Sequence, residues 1–142
     1  MKKLAHFKLE KEYAVFCPAG QMSLAEVIEL MSRAVHHCRD HKIEKLLIDL
    51  TGLPGLPTPG VTERYLLAER IAAAAKSSVK IAQVASSEWV RTGKFGVLVA
   101  KNRGLEAQDF TSRSTALEWL LKSTGDKADR SDQVKPDLRF RA

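Results

Sequence analysis

The sequence predicts a single α/β domain with a mixed sheet, and three observations lead there. Residues 45–50 (KLLIDL) are an almost unbroken apolar run, the pattern of a strand covered on both faces rather than one with a wet side. In the segments on either side, apolar residues recur at three- and four-residue spacing, as they do on amphipathic helices. The two patterns alternate in the order ββα-βα-βα-βα, which gives parallel strands joined by helical crossovers and an antiparallel first strand.

Taken in order, residues 7–10 and 13–17 read as two short strands with Lys11-Glu12 as the turn between them. Pro18-Ala19-Gly20 ends the second. Ser23 opens a helix, with Glu26 three residues on completing a capping-box signature. Leu24, Val27, Ile28, Met31, Ala34, Val35 and Cys38 form one apolar stripe on that helix, which runs to about residue 41. After the 45–50 strand, Gly52, Pro54, Gly55 and Pro57 forbid regular structure. Thr58-Pro59 then reads as a hydroxyl N-cap followed by proline at the first helical position. The second helix extends from Pro59 to about Ala75, with Tyr65, Ala68, Ile71, Ala72 and Ala75 inward. Residues 80–85 (KIAQVA) form a strand that Ser86-Ser87 ends. Residues 92–103 are read as a helix with Phe95, Leu98, Val99 and Asn102 on one face and Gly104 as its αL terminator, although 97–100 also suits a strand. A last strand occupies 105–110. The last helix spans 112–122, with Ala116, Leu117, Trp119 and Leu120 inward.

Composition bounds the function. A chain of 142 residues, 44% hydrophobic and 28% charged, is an ordinary globular domain. No apolar run approaches the roughly 20 residues that span a bilayer, so stable membrane insertion is not expected. MKKLAHFKLEKEY has no apolar stretch behind its lysines and reads as no secretory signal. Two distant cysteines, Cys17 and Cys38, fit free thiols in a cytoplasmic protein. The net charge of +6 is spread without a dense basic run, which disfavours nucleic acid as a partner. Residues 1–123 form the expected domain. Residues 124–142 are charged and nearly free of apolar side chains, the composition of a solvated, disordered tail.

The carboxyl end of the 45–50 strand, with its loop and the helix that follows, is the expected site, because open α/β sheets form sites beyond the carboxyl ends of their strands. The segments LLIDLTGL and Thr58-Pro59-Gly60, with the later stretch KFGVLVAKNRGLEAQDFTSRSTALEWL, resemble the STAS domains, the anti-sigma-factor antagonist fold. The later stretch is similar to the SpoIIAA-like branch, whose members often show Phe-Gly…Ala-x-Asn-Arg-Gly and Phe…Ala-Leu-x-Trp-Leu. The resemblance covers roughly residues 5–121. In antagonists of this group the corresponding loop presents Asp-Ser-Ser/Thr-Gly, and a kinase phosphorylates its first serine. Here the positions read Pro57-Thr58-Pro59-Gly60, so the resemblance puts Thr58 at the phosphoacceptor, with proline in place of the acid. Thr58 and Gly60 are thus an expected phosphoacceptor or anion site, and a plain helix cap is the other reading of Thr58. Members of the branch are also similar to small lipid-binding folds, which implies an apolar cleft beside the second helix, lined by Tyr65, Leu66 and Trp89.

Other constellations are weaker. His36, His37, Cys38 and His41 crowd one helix end, with His37 and His41 four apart. No HExxH glutamate or second ligand pair accompanies them, and histidines in a last turn already complement the helix dipole, so no metal is expected. Cys38 lies on the apolar stripe and reads as a buried hydrophobe. Gly93-Lys94 lacks the rest of a phosphate-binding loop. Arg91, Lys94, Lys101 and Arg103 read as a solvated helix face. Pro54-Gly-Leu-Pro57 matches a PxxP pattern common in loops. No catalytic constellation is legible and no cofactor is implied. The expectation is a non-enzymatic STAS-like regulatory or interaction domain whose partner is a protein, with a homodimer allowed. A carrier or sensor of a small apolar molecule such as a lipid is the alternative.

Overall fold

The computed structural model describes residues 5–92, 101–102 and 104–122. Five strands form one sheet in chain order, β1 (Phe7–Leu9), β2 (Ala14–Phe16), β3 (Lys45–Asp49), β4 (Lys80–Val84) and β5 (Ala107–Phe110). β1 and β2 pair antiparallel, Leu9 opposite Ala14, and every later pair is parallel. The hairpin closes without glycine, Glu10 N–H donating to Tyr13 O at 2.7 Å across Lys11-Glu12. β3 is the middle strand, which explains its apolar run. Leu46, Leu47 and Ile48 are all fully buried, on alternating faces.

Four helices are present among the described residues. α1 (Leu24–Asp40) and α2 (Val61–Ala75) pack on each other and on one face of the sheet. There Phe16, Leu46, Ile48 and Ile81 meet Val27, Met31, Val35, Ile71 and Ala75. The short α3 (Ser87–Thr92) joins them, through Trp89. α4 (Arg113–Leu120) covers the other face, closing Val15, Leu47, Ala82 and Val84 under Ala116 and Leu120.

α1 begins as its sequence suggests. Glu26 N–H donates to Ser23 Oγ at 3.1 Å and Ser23 N–H to Glu26 Oε1 at 2.9 Å. Its end is a Schellman turn built on lysine instead of glycine. Lys42 takes φ +60°, Ile43 N–H reaches Cys38 O at 2.8 Å, and Lys42 N–H reaches Arg39 O at 3.2 Å.

Three readings need correction. α2 starts at Val61, not Pro59, because Gly60 is the extended N-cap residue (φ −77°, ψ −178°). Tyr65 is not inward: it is 40% exposed, whereas Ala68, Ile71, Ala72 and Ala75 are buried as expected, with Leu67 partly covered. Full burial on α2 begins only at Ala68, and in the turns before it Val61 and Leu66 are exposed together with Tyr65. A helix over 87–92 was not anticipated. Ser86 opens it, its hydroxyl accepting from Trp89 N–H at 3.2 Å.

Of the 92–103 helix, residues 93–100 and 103 lie outside the described residues, as does the 124–142 tail. Lys101 and Asn102 are helical. Gly104 terminates them with φ +85° and its N–H on Lys101 O at 3.0 Å. A Cβ there would come within 2.9 Å of Ser77 Oγ.

Candidate functional site

The loop after β3 is held by the last residue of that strand. Asp49 is 5% exposed, and its Oδ1 accepts from Thr51 N–H at 2.9 Å and Thr51 Oγ1 at 2.6 Å. Its Oδ2 accepts from Arg113 Nε at 3.1 Å and Nη2 at 2.7 Å. Burial alone would raise this carboxyl, but the bonds from Thr51 and Arg113 outweigh it and hold the group below its ordinary range. The loop is further fixed by Gly20 N–H on Gly52 O and by the buried Leu53.

At the start of α2 the capping role belongs to Gly60 and Glu63. Gly60 N–H donates to Glu63 Oε1 at 2.8 Å, and Arg64 N–H reaches Gly60 O at 2.9 Å. Thr58 stands two residues before the cap and is partly exposed. The Glu63 carboxylate already occupies the positive end of the helix, where a phosphate on Thr58 would meet like charge. Thr58→Ala is therefore expected to change stability by less than about 0.5 kcal/mol. Glu63→Ala is expected to lose about 0.5–1 kcal/mol, the usual worth of a first-turn carboxylate with a capping bond. Urea unfolding of the two variants checks the order.

A second feature lies under α2, a cavity of about 70 Å³. Ile48, Ile81 and Ala107 of the sheet form its floor; Leu67, Ala68 and Ile71 of α2, Met31 of α1 and Trp89 of α3 form its walls, with Pro59 and Leu105 beside them. Arg64, Gln83, Gln108 and Asp109 are its polar lining. Gln83 and Asp109 are register partners on β4 and β5, and Gln83 Nε2 donates to Asp109 Oδ1 at 3.1 Å. Burial pushes the Asp109 carboxyl up to about 7, further than the bond from Gln83 pulls it down. Arg64 Nε is covered from solvent and has no hydrogen-bond partner among the described residues.

Of the anticipated cleft residues, Trp89 lines this cavity and is 5% exposed. Tyr65 and Leu66 do not line it. They point outward, 40% and 53% exposed, near Val61 at 64%. Arg64, Gln83 and Asp109 were missed. The available signal was the lone glutamine in KIAQVA, a polar residue in a buried strand that needs a partner across the sheet.

The histidine cluster has another arrangement. His37 and His41 stack at 4.1 Å between ring centroids, His41 Nδ1 lies 3.0 Å from His37 O, and His37 packs edge-on against Phe7. Among the described residues no group of three or more His, Cys, Asp or Glu is placed to hold a metal. Cys38 is wholly buried, and burial pushes its thiol up to about 12, which disfavours the thiolate at neutral pH. No helix among the described residues is long and apolar enough to cross a membrane.

No family model matches the sequence, and no curated protein matches it. Among solved structures, the NMR structure of the protein TM1081 is similar, with a TM-score of 0.51 over 87% of this chain and 92% of that one. TM1081 has a SpoIIAA/STAS-like fold. This chain has a STAS-like fold. At 12% identity the likeness extends to architecture alone. For a STAS-like domain the 50–60 loop and the start of α2 are where the resemblance put Thr58, and the cavity lies directly behind that loop, with Pro59 in its wall.

Proposed function

We propose that this STAS-like domain is a non-catalytic regulatory module whose input is a small, largely apolar molecule held under α2. The observation that carries the reading is the cavity itself. Among the described residues its lining is mostly apolar, with few polar groups, gathered at β4, β5 and the start of α2, and a buried tryptophan, the make-up of small-molecule sites. Its size bears on the ligand. About 70 Å³ is far below the several hundred Å³ of sites that take drug-sized molecules, so a long lipid tail does not fit without α2 moving. A small sensor ligand fits better than lipid cargo.

A protein partner is the second reading, and the outer face of α2 favours it. Val61, Tyr65 and Leu66 expose apolar surface on the half of the helix next to the loop. The two readings combine if the ligand is the input and the α2 face the output. Phosphorylation of Thr58 has less support, since Glu63 already holds the helix end.

Native mass spectrometry of the purified protein tests the ligand reading, with isobutanol at tens of millimolar as a probe followed through the Trp89 indole N–H signal. The expected result is a bound mass that leaves on denaturation, or an isobutanol-dependent Trp89 shift that Ala68→Phe abolishes by filling the cavity. A ligand-free mass together with an unmoved Trp89 signal would sink the reading and leave the α2 face as the functional surface.

A further inference from the structure

Among the described residues the lining of the cavity under α2 is apolar except for Arg64, Gln83, Gln108 and Asp109, and of these Arg64 and Asp109 are the charged groups. Their situations differ. Asp109 has a partner in Gln83. Arg64 is a permanent cation whose Nε–H is shielded from water and donates to nothing among the described residues. Covered donors are almost always bonded, and an unmade bond to a charged donor is more expensive than a neutral one. Among the described residues the site therefore lacks an acceptor, and an anionic acceptor suits a guanidinium best because its planar fork matches a carboxylate. Asp109 does not fill that role, since Arg64 Nε stays unpartnered in its presence. Nor does it strongly repel an anion. Its carboxyl, raised to about 7, is about half uncharged at neutral pH.

The rest of the cavity sets the size of what the acceptor is attached to. A dry cavity of roughly 150 Å³ accommodates benzene. One of about 70 Å³ has room for a body of about three or four carbons, with the head group toward Arg64.

We propose that the cavity binds a short-chain carboxylate, its carboxylate accepting from the Arg64 guanidinium and its aliphatic chain lying against Leu67, Ile71, Ile81 and Trp89. This rests on the reading of the cavity as a ligand site and names the chemical class of the ligand. No bond is made or broken, so the domain is a receptor for the acid.

The test uses three probes with one branched body and different heads: isobutyrate, isobutyramide and isobutanol. Each is titrated into the full chain, and the Trp89 indole N–H shift is followed. Isobutyrate is expected to bind about tenfold more tightly than either neutral probe, the step from a neutral to a charge-assisted bond. Acetate, with the charge but little body, is expected to bind more weakly than isobutyrate. Arg64→Gln is expected to reduce isobutyrate to the level of isobutyramide, and Arg64→Lys to retain part of the preference, with the dispersion of each spectrum reporting the fold. Equal binding of all three probes, or a preference that survives Arg64→Gln, overturns the carboxylate assignment while the ligand reading stands. A Trp89 signal that moves for none of them overturns both.

Discussion

Asp109→Asn is expected to stabilise the protein at pH 8 and to change it little at pH 4. In the folded chain burial holds this carboxyl at about 7, against an ordinary value of 3.8. Well below pH 3.8 both folded and unfolded chains keep the proton and the group contributes nothing. As pH rises from there, the unfolded chain releases its proton while the folded chain retains it. Stability then falls with rising pH, by up to about 4 kcal/mol once the folded group has also ionised. Asparagine cannot ionise, has nearly the same shape, and keeps the oxygen that Gln83 Nε2 donates to. The variant therefore lacks the descending limb. For a domain of this size the gain at pH 8 corresponds to roughly 5 °C or more in midpoint. Urea titrations at half-unit steps between pH 4 and 8 show it, and two curves that stay parallel across that range would mean the Asp109 carboxyl is not desolvated.

Arg113→Ala is expected to be destabilising by about 2–4 kcal/mol at pH 7, although Arg113 is itself half-exposed. The loss comes from its partner. The Asp49 side chain is 8% exposed, and two of the four hydrogen bonds it accepts come from Arg113. Removing the guanidinium leaves a buried carboxylate with Thr51 alone. In the wild type the folded group lies below its ordinary 3.8, so its contribution is present above that value and is lost as pH falls through the lower folded one. In the variant burial prevails, the group moves upward, and the deficit is expected to shrink on acidification. Asp49→Asn in the Arg113→Ala background should recover part of the loss, because the amide carries no charge. A double-mutant cycle with Asp49 and Arg113 measures the coupling, and a value near zero would show that the pair is surface decoration.

Much of the architecture was legible because local and long-range signals agree in it. The 45–50 run is almost wholly apolar because β3 is the middle strand, buried under α1 and α2 on one face and α4 on the other. Ser23 and Glu26 announced α1, and both capping bonds form. The start of α2 misled because Thr58-Pro59 has the make-up of a helix opening, while the cap that forms two residues later from Gly60 and Glu63 was not anticipated. Backbone and tertiary packing chose between them. Gly60, a poor interior helix residue, sits at the cap, and Pro59 is buried in the cavity wall. The cavity's polar lining was harder to read. Gln83 and Asp109 are 26 positions apart, and only the parallel register of β4 and β5 brings them together. Asp49 and Arg113 are 64 apart and belong to different layers. Periodicity reports which face a residue takes and is silent on what it meets there.

The chain-order sheet has a consequence for how the protein is made. Each strand pairs with the one synthesised before it, and none must wait to be inserted between two others. α1 and α2 have β2, β3 and β4 to pack on once β4 has emerged, and Trp89 and Leu105 complete that core soon after, so a growing chain can assemble that half from its amino end outward. The opposite face is different. Val15, Leu47, Ala82 and Val84 are closed by Ala116 and Leu120, which α4 brings last of all the described elements. A nascent polypeptide halted near residue 112 thus carries a finished helical side and a bare aliphatic one. That half-built molecule is the one expected to call for a chaperone, until the few turns of α4 cover its open face.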